Sequence, residues 1–218
     1  MCGRFQLSVT GKQISERFNV EVFDERYKPC YNCAPSRELP VITNDNQKEL
    51  QFFRWGLIPF WAKDPKIGMR LINARAETLT DKPSFKHAFK TRRCLIPANG
   101  FFEWKKEKKR VPYRFFLKND SLFAMAGLWD VWKDSSGKPV HSFTIVTTDA
   151  NEIVKPVHDR MPVILPKEKE RLWLEEQNPQ LLQSLLQPYP GDDLEFYPVS
   201  GLINKPQNDF PEVVMPVK

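Results

Sequence analysis

A cysteine stands at the second position of the chain, directly after the initiator Met1. Once Met1 is removed, Cys2 carries a free α-amine as well as its thiol, so that two nucleophiles lie on adjacent carbons. An α-amine has a pKa of about 7.7–8.0, and a usable share of it is neutral at pH 7, whereas a lysine amine is almost fully protonated. Such an amine can attack an aldehyde to form a Schiff base, and the neighbouring thiol can then close a thiazolidine ring. The alternative is an accidental cysteine near a frayed terminus.

A carboxyl group within an aromatic strand is the second candidate for chemistry. Residues 100–104 read Gly-Phe-Phe-Glu-Trp, and alternation along a strand puts Glu103 on the same face as Phe101, opposite Phe102 and Trp104. A carboxyl group against apolar surface has a raised pKa, as an acid or base catalyst requires. The alternative for Glu103 is an ion pair with a lysine across the strand ladder.

Two further segments join polar groups of different chemistry. Residues 72–77 combine an amide, a guanidinium and a carboxylate with small residues, a composition that suits a polar site better than a core. Residues 157–162 set the imidazole of His158 beside a carboxylate and an arginine. Structural interpretations remain open for both, with Arg75 and Glu77 as a surface pair and His158 as a capping or core residue.

The elements that must position these residues are mainly strands. Thr10 and Gln13 form a predicted capping box that opens a short helix. An Asn-Asp-Asn turn at residues 44–46 predicts a hairpin. The predicted helices are a short one at 84–90, one at 167–176 and one that begins with Asn178 as N-cap and Pro179 at its first position. The predicted strands are 39–43, 50–57, 95–96, 101–104, 113–117, 122–132, 142–148 and 194–199, those from residue 95 to 148 at hairpin spacing.

This order predicts an α+β fold, a single domain over residues 1–218 on a curved, largely antiparallel sheet with peripheral helices. The basic run at residues 105–110 is interpreted as a solvated hairpin tip, with phosphate contact as the alternative. The chain has 33 lysines and arginines against 27 acidic residues, a formal charge of +6 that favours a polyanionic partner without proving one.

No apolar run is long enough for a membrane span, and the chain is expected to be cytoplasmic. Four cysteines in 218 residues do not make a disulfide scaffold. Cys30 and Cys33 form a C-x-x-C, but no second pair completes a metal site, so we expect small buried residues here. No metal and no cofactor is expected.

Six short motifs, in the same order and over nearly the whole chain, resemble the SRAP (SOS-response-associated peptidase) family. They are Cys-Gly-Arg-Phe at 2–5, Tyr-Asn-x-Ala-Pro at 31–35, Arg-Trp-Gly-Leu-Ile-Pro at 54–59, Ile-Asn-Ala-Arg-x-Glu-Thr at 72–78, Phe-Glu-Trp at 102–104 and His-Asp-Arg-Met-Pro at 158–162. Members of this family sense abasic sites in single-stranded DNA. The resemblance implies a single α+β domain on a curved antiparallel sheet, and single-stranded DNA with abasic sites as partner of a chain that we expect to be monomeric.

The resemblance also implies roles for particular residues. Cys2, exposed by loss of Met1, attacks the ring-opened sugar aldehyde and forms a thiazolidine crosslink that shields the lesion. The family further implies an autopeptidase that exposes Cys2 and a β-lyase side activity through the Schiff base. Asn73 matches a residue that stabilises the sugar and the crosslink, Glu103 one that transfers protons, and His158 one that stabilises the opened sugar. The DNA-binding positions are Arg4, Asn32, Pro35, Trp61, Arg75 and Arg160, with the arginines as phosphate clamps.

Two positions depart from the family pattern. Cys33 stands where relatives commonly have valine, which suggests a second thiol near the DNA groove. Ala62, after Trp61, stands where relatives often have a second aromatic residue that wedges beside the lesion, and we therefore expect weaker base stacking.

Two other functions are compatible with parts of the sequence. Glutamine amidotransferases of the N-terminal-nucleophile type also begin Met-Cys-Gly, but they usually continue with apolar residues, whereas Arg4 follows here. Their glycine-rich Asn-Gly segment is also missing, since Asn99-Gly100 is the only such pair in the chain. A non-covalent reader of single-stranded or modified DNA is the second alternative, and failure to crosslink with binding intact would favour it.

Overall fold

The computed structural model describes residues 2–22, 25–106 and 110–217. Its α-helices are Gly11–Phe18 (α1), Pro83–Thr91 (α2), Lys167–Glu175 (α3) and Pro179–Ser184 (α4). Its strands are Arg4–Leu7 (β1), Cys30–Cys33 (β2), Glu38–Thr43 (β3), Gln51–Trp55 (β4), Asn73–Arg75 (β5), Arg93–Ala98 (β6), Gly100–Lys105 (β7), Val111–Leu117 (β8), Phe123–Lys133 (β9), Pro139–Asp149 (β10), Arg160–Pro162 (β11), Ile164–Leu165 (β12) and Leu194–Pro198 (β13).

The strands form two sheets. One is antiparallel throughout, in the order β13-β8-β7-β1-β2. In the other, β9 pairs with both β6 and β10, and the ring β10-β4-β3-β6-β9 therefore closes into a small barrel, with β5, β11 and β12 attached. Only β4 and β5 run parallel to their neighbour β10 in the described pairings. The predicted α+β, largely antiparallel fold is confirmed, although two sheets replace the single curved one.

A corner at Asn99 explains this difference. The end of β6 and the start of β7 are separated by this one residue, yet β6 pairs with β3 and β9 whereas β7 pairs with β1 and β8. The Asn99 N–H donates to the carbonyl of Gln6, and its side-chain oxygen accepts from the N–H of Ser8. The interpretation of residues 95–104 as consecutive hairpin strands is therefore wrong, since spacing along the chain does not specify which sheet a strand joins.

The local signals predicted the helix starts and three hairpins correctly, since β3 pairs with β4, β7 with β8 and β9 with β10. The Thr10 hydroxyl accepts from the N–H of Gln13, whose side chain accepts in return from the N–H of Thr10. The Asn178 side chain caps α4 by accepting from two backbone N–H groups. β3 and β4 pair as the predicted hairpin. The tip of the β7–β8 hairpin, residues 107–109, lies outside the described residues, although Lys105 and Val111 pair on either side of it.

A fully buried arginine holds the ends of two helices against the barrel. The Arg93 guanidinium donates to five backbone carbonyls, two in the last turn of α2 and three around the end of α3. Because helix ends leave carbonyls without intrahelical donors, this single side chain satisfies groups that water cannot reach. In the described part of the chain no helix has the length and apolarity needed to cross a membrane.

Candidate nucleic-acid and covalent site

The start of β1 brings Cys2 beside β7. Arg4 and Phe5 pair with Phe102 and Phe101 in antiparallel register, which carries the preceding residues along the Glu103 end of β7. Cys2 is fully buried, and its carbonyl oxygen accepts a hydrogen bond of 2.8 Å from Nδ2 of Asn73. The Cys2 backbone is thus fixed by a residue 71 positions away.

The Cys2 thiol is held in its neutral form. Burial raises its pKa most, and the nearby Glu103 carboxylate raises it further. The thiol lies 3.6 Å from the carbonyl oxygen of Arg4, to which it donates. Since a thiolate is the form that attacks amides and disulfides, this environment does not favour a thiol that reacts first.

Strand β10 assembles the other predicted residues around Cys2. β5 runs beside it, with Asn73 opposite Ile145 and Arg75 opposite Thr147. β11 pairs on the other side, with Arg160 opposite Asp149, and this places His158 just before the strand. Segments that are far apart in the sequence therefore meet at the end of one strand.

Glu103 and His158 face one another in this site. Nε2 of His158 lies 3.8 Å from Oε2 of Glu103, whose side chain is 2% exposed. Burial raises the pKa of Glu103 from 4.5 to about 7, as its aromatic surroundings predict. The residue opposite Glu103 in the ladder is Tyr113, so a lysine across the ladder is not its partner. Phe102 and Trp104 pack on a separate small cluster, which confirms the predicted alternation.

The tautomer of His158 follows from its second nitrogen. Nδ1 accepts a hydrogen bond of 3.0 Å from the N–H of Arg160, so a neutral ring carries its proton on Nε2, toward Glu103. Burial lowers the pKa of His158, which keeps the ring neutral at pH 7. His158 therefore presents a hydrogen-bond donor to a carboxyl group whose pKa is about 7.

Two buried oxygens in this region have no hydrogen-bond partner within the described residues. They are Oδ1 of Asn73 and Oγ1 of Thr147. Thr147 lies between Arg75 on β5 and Pro162 on β11, at the centre of the assembled strands. Nothing in the sequence singles out this residue, because a threonine in a β-rich run carries no signal of its own. Each oxygen keeps its capacity to accept a hydrogen bond.

Arg4 is held entirely by neutral groups. Its Nε donates to Oδ1 of Asn32 at 2.9 Å, and its two terminal nitrogens donate to the carbonyls of Gly3 and Asn204. Among the described residues no carboxylate forms an ion pair with it, so its charge remains available to a phosphate. It borders an open pocket of about 370 Å³ that Trp104 and Arg110 also line.

Asn32 itself is fully buried, which corrects its predicted place on the DNA-binding surface. Its Nδ2 lies within hydrogen-bond distance of the carbonyls of Ile203, Lys205 and Asn208. All of its polar atoms face protein, and its side chain therefore supports Arg4 and has none left for a ligand.

Arg160 is also engaged within the protein. It forms a bidentate pair with Glu77, a second pair with Asp149 at 2.7 Å, and a bond to the carbonyl of Thr147. These carboxylates offset its charge, and its role as a phosphate clamp stays a prediction. Glu77 forms its ion pair with Arg160, while the exposed Arg75 acts on it only through its charge: Arg160 lowers the pKa of Glu77 most, and Arg75 lowers it further.

The remaining predicted contacts differ in exposure. Trp61 is 46% exposed and lines a shallow pocket of about 400 Å³ with Lys63, Lys66 and Arg70. Pro35 is half-buried, and Ala62 is buried, with its carbonyl accepting from Nε1 of Trp132. An exposed indole among cations is the arrangement that single-stranded nucleic acids stack on.

The thiol of Cys33, predicted near the DNA groove, is not exposed at the protein surface. Cys33 is fully buried and donates to the carbonyl of Cys30. A register shift pairs Phe5 with Cys33 and Leu7 with Cys30, so three steps on β2 oppose two on β1 and both cysteines point inward. All four cysteines are free and buried, as predicted for Cys30 and Cys33. Within the described ranges no three His, Cys, Asp or Glu side chains are grouped as a metal site.

Comparison with known proteins adds the family context. A family model described as SOS response associated peptidase (SRAP) matches residues 1–206. The abasic site processing protein YoqW of Bacillus subtilis (strain 168) is 50% identical over 221 residues, covering 98% of this chain and 99% of its own. The abasic site processing protein HMCES of Xenopus tropicalis is 30% identical over 221 residues, covering 86% of this chain and 66% of its own. A crystal structure of a protein from Bacteroides thetaiotaomicron superposes with a TM-score of 0.92 at 30% identity, covering 100% of both chains.

Proposed function

The chain belongs to the SRAP family, and from this we propose that it processes abasic sites in single-stranded DNA by forming a thiazolidine crosslink through Cys2. One observation carries this proposal. Asn73 binds the Cys2 carbonyl, while Glu103, which raises the pKa of the Cys2 thiol, faces His158 at 3.8 Å. An aminothiol, an amide and an acid–base pair are the groups that the reaction needs at one carbon.

The reaction begins with hydrolysis of the Met1–Cys2 peptide bond, which converts the Cys2 nitrogen from an amide into an amine. The amine adds to the C1′ aldehyde of the opened sugar and gives a carbinolamine, which loses water to form the protonated Schiff base. The thiol then adds to the same carbon, its proton passes to a base, and the five-membered ring closes. One water molecule leaves overall.

Each step needs a proton donor or acceptor at neutral pH. Glu103, with a pKa of about 7, is present in both forms there and can protonate the departing hydroxyl or accept the thiol proton. His158 carries a proton on Nε2 that can bind the sugar oxygen as the ring opens. Asn73 orients the nucleophile through the Cys2 carbonyl and keeps Oδ1 for the substrate.

The state of the thiol supports an amine-first reaction over the amidohydrolase alternative. In an N-terminal-nucleophile amidohydrolase the thiol attacks first, and a lowered thiol pKa assists it. Here burial and Glu103 raise that pKa instead. A thiol that acts second, on a carbon already bound to its own amine, can remain neutral until ring closure because its effective concentration is high.

Two side activities belong to the same proposal. The Schiff base acidifies the sugar C2′ proton, and its removal by a base breaks the 3′ carbon–oxygen bond, which is β-lyase cleavage of the strand. The autopeptidase is the hydrolysis that exposes Cys2. For both, we assign Glu103 as the base, since its charge acts on the Cys2 thiol.

Borohydride trapping tests the proposal. Protein without Met1 should give a heat-stable adduct with abasic single-stranded DNA in the absence of reductant. Cys2→Ala without Met1 keeps an α-amine, and we expect an adduct only after borohydride reduces its Schiff base. Wild-type protein that still carries Met1 has no thiol beside its α-amine and should give no heat-stable adduct without reductant. A stable adduct from Cys2→Ala without reductant would contradict the thiazolidine.

A further inference from the structure

Asn32 is a fully buried polar side chain that binds Arg4, two residues from Cys2. It lies on β2, yet it joins β1 to residues 203–208 of the C-terminal segment. A buried amide costs free energy unless it is satisfied, and this one is satisfied on every side. Its partners indicate what it does.

The amide can adopt only one orientation. Its NH₂ group faces three carbonyl oxygens, which only accept, and its oxygen faces Nε–H of Arg4, which only donates. A rotation by 180° would place oxygen against oxygens and N–H against N–H. The C-terminal segment therefore determines where the Asn32 oxygen points, and that oxygen determines where the Arg4 guanidinium lies.

The carboxylate of Asp209 binds the backbone of β2 as well. Oδ1 of Asp209 accepts from the N–H groups of Tyr31 and Asn32, and Oδ2 accepts from Arg37 at 2.8 Å. Although burial acts against it, hydrogen bonds from Arg37 and the Tyr31 N–H hold the pKa of Asp209 below its ordinary value. The backbone of Asn32 is thus anchored by the same segment that binds its side chain.

These contacts leave the charge of Arg4 intact. Three of the five N–H groups of its guanidinium are bound by neutral oxygens, and two remain for a phosphate. Arg160, bound by two carboxylates, shows the opposite arrangement. A neutral acceptor at position 32 can orient an arginine without offsetting its charge, which an aspartate there would do.

We propose that Asn32 is a positioning residue for DNA binding, which acts through Arg4 by holding its guanidinium, uncompensated, beside Cys2. The proposal rests on the proposed function only in that Arg4 binds a backbone phosphate. It makes residues 203–209 part of the DNA-binding apparatus, although none of their side chains needs to touch DNA.

A double-mutant cycle on non-covalent affinity for undamaged single-stranded DNA tests this inference. Arg4→Ala and Asn32→Ala should each weaken binding by about tenfold, the size of one charge-assisted contact. Each should also reduce the slope of log K against log salt by about 0.7. Asn32→Ala in the Arg4→Ala background should then change neither quantity, while in the Arg75→Ala background it should retain its full effect.

Two controls separate positioning from general damage. Arg171→Ala removes a remote, exposed charge on α3 and should leave affinity within twofold. If Asn32→Ala does not fold, Arg4→Lys replaces it, since it keeps the positive charge but lacks the Nε–H that the Asn32 oxygen binds. The same loss of affinity is expected, and wild-type affinity of Arg4→Lys would overturn the inference. Additive losses from Arg4 and Asn32 would overturn the inference.

Undamaged DNA keeps this result independent of the covalent chemistry. If the wild type binds single-stranded DNA and Arg4 and Asn32 are coupled as predicted, but no crosslink forms with abasic DNA, only the thiazolidine proposal is contradicted. A crosslink with additive losses removes the Asn32 inference alone. Wild-type protein with no affinity for single-stranded DNA contradicts both.

Discussion

His158 presents Nε2 to Oε2 of Glu103 at 3.8 Å, while its Nδ1 accepts from the N–H of Arg160. This relationship joins a carboxyl group whose pKa is raised to about 7 to an imidazole whose pKa burial lowers. A neutral imidazole with its proton on Nε2 offers Glu103 a hydrogen-bond donor but has no free lone pair facing it. Glu103 is therefore the member of the pair that can gain or lose a proton near neutrality.

Glu103→Gln and His158→Ala should each slow single-turnover crosslinking of abasic DNA by about 10²–10⁴-fold, the range of general acid–base catalysis. Affinity for the same DNA should change little, because neither side chain serves as a phosphate ligand in the proposed function. Glu103→Gln should also suppress strand cleavage, which needs a base. Quench-flow rates beside equilibrium binding measure both quantities. Wild-type rates in the two variants would leave these residues structural.

The stability of the protein should depend on pH through Glu103. Its pKa is near 4.5 in the unfolded chain and about 7 in the folded one, so the folded state binds the proton more tightly. The resulting stability is fully present below pH 4.5 and is lost as pH rises through 7. Glu103→Gln removes this dependence and should gain up to about 3 kcal/mol on wild type between pH 4.5 and 8. Urea unfolding of both proteins across that pH range measures the difference in their free energies of unfolding. This difference should grow with pH, and a difference that narrows as pH rises would refute the prediction.

Arg75 and Arg160 should behave differently although both are arginines of matched motifs. Arg75→Ala should lower the salt slope of DNA binding by about 0.7 for every sequence alike and leave stability within about 0.5 kcal/mol. Arg160→Ala leaves Glu77 and Asp149 facing each other without a cation and should cost about 1–3 kcal/mol. Thermal unfolding beside salt titrations separates them. Equal stability of the two variants would contradict the structural role given to the Arg160 ion pairs.

Arg93→Met should destabilise the fold by about 3 kcal/mol or more, because five backbone carbonyls at the helix ends, three of them in buried hydrogen bonds, lose their donor at once. Arg171→Ala, at an exposed pair within α3, is the matched control and should fall within about 0.5 kcal/mol. Chemical unfolding measures both. A small effect at Arg93 would show that the helix ends find other partners.

Local patterns predicted what depends on neighbouring residues. The capping box at Thr10, the Asn178 cap and the burial of Glu103 against an aromatic face each follow from a few adjacent residues. The contact of Asn73 with the Cys2 carbonyl requires the register of β5 on β10, which no local pattern specifies. Whether an arginine is bound by carboxylates is equally non-local, and for this reason neither the ion pairs of Arg160 nor the burial of Asn32 follows from the sequence.

The intact mass of the protein, alone and after incubation with an abasic single-stranded oligonucleotide, reports directly whether Cys2 forms a thiazolidine with DNA. We expect a chain without Met1 and an adduct whose mass equals that of protein plus oligonucleotide minus one water. Cys30→Ala and Cys94→Ala should give the same adduct, since neither cysteine carries an α-amine, and Cys2→Ala should give no heat-stable one. A Met1-free wild type that adds no DNA, or an equally stable adduct from Cys2→Ala, would contradict the account.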